Sequence, residues 1–202
     1  MILNALKTFL GKIIIPKNIL NDDLKILHIS DTPSFIFSEI ANLISALDPD
    51  YIIHTGDVSD DVKLELFPWK KDIYQNNIKR FSSKLSKVTN AKLIFCVGNH
   101  DDKEILDNYF GSENVFIGAN SITIDKTKVS FSHYVEEIEK LDCDFYLFGH
   151  NTYRLSSISN GKFYLNGIQG INVINLKTLE ITSLKYPLGT DDSRQMKRKI
   201  GL

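Results

Sequence analysis

Three short segments share a form that restricts the fold more than any other feature of the sequence. They are "LKILHISD" at residues 24–31, "DYIIHTGD" at 50–57 and "AKLIFCVGNHD" at 91–101. Each is a nearly continuous apolar run that ends in a cluster of polar residues. Continuous rather than alternating apolarity is typical of strands that are buried on both faces of a sheet. We therefore predict three buried strands of an α/β sheet.

Helical patterns separate these strands. The first stripe of apolar residues comprises Ile36, Ile40, Leu43, Ile44 and Leu47, and the second comprises Tyr74, Ile78, Phe81, Leu85 and Val88. Asp101 with Glu104 resembles a capping box that opens a short third helix. After residue 114 the pattern changes to closely spaced short strands, with a two-residue hairpin signal at Asn160-Gly161. The sequence predicts one domain, βαβαβ followed by a β-rich half, over residues 24–187.

Extensions flank this domain at both ends. Residues 1–20 form an amphipathic extension whose apolar stripe is Ile2, Leu3, Leu6, Phe9, Leu10, Ile13 and Ile14, and Pro16 ends the predicted helix. This helix either packs on its own domain or serves as a surface helix for a partner protein or a membrane. Residues 188–202 form a charged tail that we expect to be frayed.

Composition excludes several classes of function. The 202-residue chain has a net charge of -1, so it carries no electrostatic footprint for a long nucleic acid or an anionic lipid. No apolar run approaches the ~20 residues of a transmembrane segment. Cys96 and Cys143 are too few and too far apart for a disulfide framework, and Cys96 lies in an apolar run. We therefore expect buried free thiols and a reducing, cytoplasmic location.

Polar side chains follow the predicted strands, where open α/β sheets bind their ligands. They are Asp31, Asp57, Asn99, His100, His133 and His150. A single such residue has a simpler interpretation, either as a helix cap or as a hydrogen-bonded core histidine, and we interpret His28 and His54 in the second way. Five strand ends together predict a divalent metal site. Carboxylate, amide and imidazole groups suit a hard or borderline ion rather than a thiolate-type site.

The order of these motifs resembles that of the calcineurin-like metallophosphoesterases, in particular the small single-domain members. The motifs are Asp31, "GDVSD" at 56–60, "GNHD" at 98–101, "FSH" at 131–133 and "GH" at 149–150. The resemblance covers about residues 24–185. It implies an α/β fold, a four-layer α/β/β/α sandwich of two mixed β-sheets flanked by helices, with a site for two metal ions.

The resemblance also implies a role for each motif residue. Asp57 would bridge the two metals, and Asn99, His133 and His150 would complete one of the two metal sites. His100 would donate a proton to the leaving oxygen. Asp31 would be a ligand of the other metal, and the supporting residues would be Asp60 and Asp101.

That other metal site departs from the family pattern. The family begins with Asp-x-His and ends with Gly-His-x-His, whereas this sequence has "DTP" at 31–33 and "GHNT" at 149–152. Pro33 and Thr152 thus replace two histidines of the same metal, and Pro33 could instead be the first helical residue after a Thr32 cap. We expect one tight divalent ion, with Mn²⁺ the best match and Fe²⁺, Zn²⁺ or Ni²⁺ as alternatives, and a second ion that is weak or absent. Tyr134 replaces the usual glycine, so the pocket wall should differ.

Two functions follow from this pattern. The first is a metal-dependent phosphoesterase that hydrolyses a phosphodiester or a phosphomonoester, which His100 and the complete metal site favour. The second is a catalytically impaired binding or scaffold module, as in the retromer subunit with this fold, which Pro33 and Thr152 favour. Such a module could dock a protein partner through its N-terminal helix. A third interpretation is that the polar strand ends merely cap helices. Trp69 is either a core residue or part of a pocket rim.

Overall fold

The computed structural model describes residues 11–196 and contains two mixed β-sheets. The first sheet has parallel strands β1 (Lys25–Ile29), β2 (Tyr51–His54), β3 (Lys92–Cys96) and β4 (Val115–Phe116). Strand β10 (Ile171–Asn175) pairs antiparallel with β1, and β11 (Ile181–Leu184) pairs antiparallel with β10, which gives the order β11-β10-β1-β2-β3-β4. All five residues of β1 are buried, as its continuous apolar sequence predicts.

The second sheet has five strands in the order β5-β6-β7-β9-β8. These strands are β5 (Asn120–Ile124), β6 (Thr127–Phe131), β7 (Phe145–Phe148), β8 (Ser157–Ser159) and β9 (Lys162–Asn166). Strands β6, β7 and β9 are parallel, and the two edge strands are antiparallel to their neighbours. The predicted hairpin at Asn160-Gly161 joins β8 to β9, and both turn residues have positive φ, at 51° and 74°. Asparagine and glycine tolerate this backbone, which explains the turn.

The helices lie outside the two sheets. Helices α1 (Phe37–Leu47), α2 (Lys71–Val88) and α3 (Lys103–Phe110) follow β1, β2 and β3 in the chain and cover the first sheet. The short helix α4 (Val135–Ile138) packs on the second sheet. A further short helix, α5 (Thr190–Arg194), follows the last strand. Single 3-10 turns lie at Lys17–Ile19, Ser34–Ile36, Pro68–Lys70 and Ser112–Asn114.

Three apolar clusters separate four layers. One lies between α1, α2, α3 and the first sheet, and stacked rings such as Phe37 and Phe81, 4.3 Å apart, fill it. A second lies between the two sheets and includes Ile53 and Phe131. A third joins α4 to the outer face of the second sheet through residues such as Tyr146. The predicted four-layer α/β/β/α sandwich is therefore confirmed.

Two predicted helix starts are wrong by one residue. The cap of α3 is Asp102, whose Oδ1 accepts a hydrogen bond of 3.1 Å from the Ile105 amide, so Asp101 and Glu104 form no capping box. Pro33 is not the first helical residue either. It has extended backbone (φ -61°, ψ 145°) just before the 3-10 turn, and Thr32 donates its hydroxyl to the Val58 carbonyl instead of capping a helix.

The two chain ends also differ from the prediction. Most of the proposed N-terminal helix, residues 1–10, lies outside the described residues, and residues 12–16 are not helical, so the helix does not extend to Pro16. Ile13 and Ile15 pack against the apolar cluster between helices α1, α2 and α3 and the first sheet. At the other end, the segment expected to fray contains α5, and Arg194 is only 8% exposed. Its burial follows from hydrogen bonds to main-chain carbonyls of distant loops, which the local sequence does not reveal.

The burial of several single residues can also be compared with the sequence-based predictions. His28 and His54 are fully buried, with hydrogen bonds to Thr55 and Thr32 respectively, as expected of core histidines. Both cysteines are buried free thiols. Trp69 is 76% exposed, so its interpretation as a core residue is wrong. Among residues 11–196, no helix is long and apolar enough to cross a membrane.

Candidate metal centre

The polar ends of five strands meet at one edge of the sandwich. Asp31 and Asp57 follow β1 and β2, Asn99 and His100 follow β3, and His133 and His150 follow β6 and β7. Ligand atoms of Asp31, Asp57 and His133 lie within 4.8 Å of one another, as do those of Asp57, Asp60 and His100. The structure therefore brings all of these side chains into one cluster that spans both sheets.

The side-chain amide of Asn99 lies at the centre of this cluster. Its Oδ1 is 3.1 Å from Nε2 of His133 and 3.1 Å from Nδ1 of His150. Its Nδ2 donates a hydrogen bond of 2.5 Å to a carboxylate oxygen of Glu65, which fixes which end of the amide faces the histidines. The carbonyl oxygen of Asn99 and one nitrogen from each imidazole thus converge on the same place.

A hydrogen bond at Nδ1 determines which ring nitrogen of His133 carries the proton. Nδ1 lies 2.7 Å from the main-chain carbonyl oxygen of Thr55, which can only accept, so Nδ1 carries the hydrogen. In the neutral ring Nε2 then presents a lone pair toward Asn99 Oδ1 and toward Asp57 Oδ2, 3.6 Å away. Acceptor atoms that face one another without a hydrogen between them fit a bound cation.

Asp57 supplies the negative charge of this donor set. It is buried, and its Oδ1 accepts a hydrogen bond of 2.9 Å from the His100 amide. Burial raises the pKa of the Asp57 carboxyl well above its usual value, and the neighbouring Asp31 carboxylate adds to that shift. A divalent cation in the cluster would favour the charged carboxylate and oppose both effects.

Tight packing and an unusual backbone hold the ligand candidates in place. Asp31, Asp57 and His150 all have positive φ, at 49°, 57° and 56°, a region that is costly for residues other than glycine and that clusters at functional sites. Asp31 Oδ2 accepts hydrogen bonds from the Ser30 hydroxyl (2.5 Å) and from the His150 amide (3.3 Å). A Cβ on Gly149 would lie 2.6 Å from this same oxygen, so only glycine fits there.

Asp101 organises the loops beneath the cluster. Its Oδ2 accepts from the amides of Asp57 (2.7 Å) and Gly98 (2.8 Å), and its Oδ1 accepts from the Val58 amide (2.8 Å) and the Tyr74 hydroxyl (2.8 Å). One carboxylate therefore joins the loops after β2 and β3 and anchors both to α2. Asp101, for which the sequence pattern predicted a helix cap and the family resemblance a supporting role in the site, thus holds two site loops together.

A cavity of about 140 Å³ lies beside the cluster and is lined in part by Asp31, Asp57 and His150. Thr152 lines it, whereas Pro33 does not, and Asp60 and Lys63 form another part of its wall. Burial and the Asp31 carboxylate raise the pKa of Asp60 to about 6. Asp60 Oδ2 is buried and has no hydrogen-bond partner among the described residues.

His100 also lines this cavity and is buried, with 8% of its surface exposed. Burial, reinforced by the Lys63 ammonium, lowers the pKa of the His100 imidazole to about 4. The ring is therefore neutral near pH 7 in the absence of ligand and retains one N–H. An anionic group in the cavity would raise this pKa, because it stabilises the protonated ring.

Two cations at the cavity were not predicted from the sequence. Arg194 of α5 donates to three main-chain carbonyls, those of Ser30, Asp31 and Ile168. Lys63 pairs with Asp60 and has 12% of its side chain exposed. The one available signal for Lys63 was its position three residues after Asp60, next to a predicted ligand loop.

Tyr134 forms the wall beside the histidines, where the sequence predicted a changed pocket. Its ring centroid lies 4.9 Å from that of His133 and 4.7 Å from that of His150. The ring therefore packs against both imidazoles and restricts their rotation. Trp69 packs edge-on against Phe67, with centroids 5.4 Å apart, and is not part of the cavity wall.

A comparison with known families decides the classification. The calcineurin-like phosphoesterase family matches residues 24–183, which is most of the chain. The chain belongs to the calcineurin-like phosphoesterase family. Metal-dependent phosphoester hydrolysis is the general activity of calcineurin-like phosphoesterases, and the carboxylate, amide and imidazole groups described above are candidate ligands for their divalent ions. No curated protein matched the sequence.

Solved structures support the same fold for this calcineurin-like phosphoesterase. An archaeal phosphodiesterase is 21% identical with a TM-score of 0.56, and the match covers 79% of this chain and 98% of that one. The phosphoesterase YfcE from E. coli is 12% identical with a TM-score of 0.52, over 81% and 100% of the two chains. Vacuolar protein sorting 29 from Cryptosporidium parvum is 16% identical with a TM-score of 0.50, over 82% and 98%.

Proposed function

We propose that this chain is a metal-dependent phosphoesterase that works with one tightly bound divalent ion, the second ion being weak or absent. The observation that supports this most strongly is the position of Asn99 Oδ1, 3.1 Å from both His133 Nε2 and His150 Nδ1 and next to the buried Asp57 carboxylate. Carboxylate, amide oxygen and two imidazoles make a complete donor set for one transition metal.

These four residues would hold the ion, and their chemistry favours Mn²⁺, with Fe²⁺, Zn²⁺ and Ni²⁺ as alternatives. When bound, such an ion makes a water molecule more acidic and polarises the oxygens of a phosphoryl group. The cavity wall also offers Asp31 and Asp60, but residue 152 is a threonine where the family pattern has a histidine, so a second tight ion would lack the imidazoles that the family provides. Oxygen ligands alone would hold a second ion only weakly.

His100 is the residue that we assign to the leaving group. Its side chain faces the cavity, and its ligand atom lies within 4.8 Å of those of Asp57 and Asp60. A bound phosphoryl anion would raise the pKa of the imidazole from about 4 and favour its protonated form. His100 would then pass that proton to the oxygen of the departing alcohol, a contribution of about 10²–10⁴-fold.

The size of the cavity bears on the substrate. At about 140 Å³ it is smaller than the ~300–1,000 Å³ of pockets that enclose drug-sized ligands. The chain would therefore hold the phosphoryl group itself and leave the rest of the substrate against the open surface. Both a phosphodiester and a phosphomonoester meet this condition.

The direct test is a hydrolysis screen with one phosphodiester and one phosphomonoester chromogenic substrate in added Mn²⁺, Fe²⁺, Zn²⁺, Ni²⁺ or Mg²⁺. We expect turnover that depends on the metal and is lost when a chelator removes it. His133→Ala, purified in the same way, should be inactive and controls for a contaminating phosphatase. Absence of turnover with every ion would contradict the proposal.

A binding module is the second candidate. The supporting observation is a run of exposed apolar side chains that begins directly after Thr152, with Tyr153 93% exposed and Leu155 and Ile158 also exposed. Large exposed apolar side chains this close together in the chain are candidates for an interaction site. Turnover in the screen above favours the enzyme, and its absence together with a folded, metal-binding chain favours the module.

A further inference from the structure

The cavity beside the candidate metal centre contains one lysine among several carboxylates. Its lining includes Asp31, Asp57, Asp60, Lys63 and His100. The Lys63 ammonium pairs with Asp60 Oδ1, and 12% of the Lys63 side chain is exposed, against 1% for Asp60. A cation therefore lines the same cavity as Thr152, one of the two positions at which the family pattern has a histidine.

Lys63 has an unusual backbone conformation that hydrogen bonds within its loop maintain. Its φ of 53° lies in the left-handed region, which it shares with Asp31, Asp57 and His150. A lysine in this region carries a conformational cost that the surrounding structure must offset. The amides of Leu66 and Phe67 both donate to the Lys63 carbonyl, at 3.0 and 2.9 Å, and hold the loop in this form.

The other cation of the cavity is already engaged. The Arg194 guanidinium donates to three main-chain carbonyls and to Asp191, so four of its five N–H donors bind other parts of the protein. The Lys63 ammonium has three hydrogens, and Asp60 is its one partner within residues 11–196. It can therefore keep the pair with Asp60 and still donate to a ligand in the cavity.

We propose that Lys63 is a phosphate-binding residue that supplies the positive charge a second metal ion would otherwise provide. Its ammonium would donate to a non-bridging oxygen of the phosphoryl group, the point-charge role in which lysine serves at phosphate sites. Asp60 would position that ammonium. This inference rests on the proposed phosphoesterase function. When only one tight ion is present, Lys63 would provide the second positive charge that contacts the phosphoryl group.

The test uses the full chain loaded with Mn²⁺ and inorganic phosphate as the probe. Lys63→Met keeps the unbranched side chain and removes the charge, so calorimetry should show phosphate binding weakened about 10- to 100-fold, the range for losing one charge-assisted hydrogen bond. Lys63→Asn is the second variant, because asparagine tolerates the left-handed backbone. Lys63→Arg, which keeps the charge, should retain part of the affinity.

Lys103→Met is the matched control. Lys103 also pairs with a nearby aspartate, Asp107, and both residues lie on helix α3. Neither of them lines the cavity. The Lys103→Met variant should bind phosphate as the wild type does. A second readout is Mn²⁺ titration, in which Lys63→Met should bind a second ion more tightly, since Asp31 and Asp60 lose a competing cation.

The outcomes separate this inference from the proposed function. If the wild type hydrolyses phosphoesters while a folded Lys63→Met or Lys63→Asn binds phosphate unchanged, the role of Lys63 is overturned and the enzyme stands. If the wild type binds neither Mn²⁺ nor phosphate, both proposals are overturned. Selective loss of phosphate affinity in the Lys63 variants, with Lys103→Met unaffected, supports the role of Lys63, and turnover by the wild type supports the proposed function.

Discussion

The Nε of Arg194 donates a hydrogen bond of 2.7 Å to the main-chain carbonyl oxygen of Asp31, so helix α5 is attached to the loop that carries a candidate metal ligand. Because Arg194 is buried and makes further hydrogen bonds to Ser30 and Ile168, Arg194→Ala leaves these carbonyls without their charged donor. We expect the free energy of unfolding to fall by about 2–4 kcal/mol. Chemical denaturation of the full chain measures this change.

Arg80→Ala is the control for that prediction. Arg80 also donates to a main-chain carbonyl, that of Ser34, but through one exposed hydrogen bond of 3.4 Å. Its removal should change the stability by less than about 0.5 kcal/mol. Equal effects of the two substitutions would show that α5 does not anchor the Asp31 loop.

Asp101 should be essential to the arrangement of the site loops, although it is not a candidate ligand. Asp101→Asn replaces one carboxylate oxygen with an amide nitrogen that cannot accept hydrogen bonds, so two of the four donors lose their partner. We expect a loss of about 2–4 kcal/mol in stability and weaker Mn²⁺ binding. Thermal melting and calorimetric titration of the same samples test both effects.

The neighbouring residue supplies a sharp control. Asp102 caps α3, and asparagine caps helices about as well as aspartate. Asp102→Asn should therefore melt within a few degrees of the wild type. An effect of Asp101→Asn no larger than that of Asp102→Asn would contradict the role of Asp101 in joining the site loops.

His100→Ala should separate chemistry from metal binding. Because His100 is assigned to the leaving group and not to the ion, kcat should fall about 10²–10⁴-fold while the metal content stays unchanged. Elemental analysis and steady-state kinetics on one preparation give both numbers. Unchanged turnover, or metal lost along with turnover, would remove His100 from this role.

Pro33 and Thr152 should together account for the weak second ion. Thr152 lines the cavity beside Asp31. Restoring Pro33→His and Thr152→His should show positive coupling on the order of 0.5–3 kcal/mol in the affinity for a second Mn²⁺, since both ligands would serve one site. Titration of the wild type, both single variants and the double variant measures this coupling, and melting curves monitor stability. A double variant that binds no second ion more tightly than the wild type would rule out the missing histidines as the cause.

The sequence predicts the sheets well because their signals are local. Continuous apolar runs such as residues 25–29 indicate strands buried on both faces, and Asn160-Gly161 supplies the one turn that its backbone requires. The convergence of Asp57 and His133 also follows from their positions after strands. Parallel strands bring their carboxyl ends to one edge, so residues distant in the chain can be expected to meet.

The cationic side of the cavity could not be predicted in this way. Arg194 lies in a charged terminal segment, which normally indicates solvent exposure, and hydrogen bonds to three main-chain carbonyls of two distant loops help to bury it. Lys63 depends on a left-handed backbone that its residue type does not favour. Asp101 has the spacing of a helix cap, and its four donors are brought together by tertiary structure.

The most direct test of the account is calorimetric titration of Mn²⁺ into the metal-free wild-type chain. The donor set of Asp57, Asn99, His133 and His150 predicts one tight ion per chain and a second that binds much more weakly. His150→Ala should abolish tight Mn²⁺ binding, because Asn99 Oδ1 and His150 Nδ1 are 3.1 Å apart and would bind the same ion. Two equally tight ions, or no tight ion at all, would contradict the account.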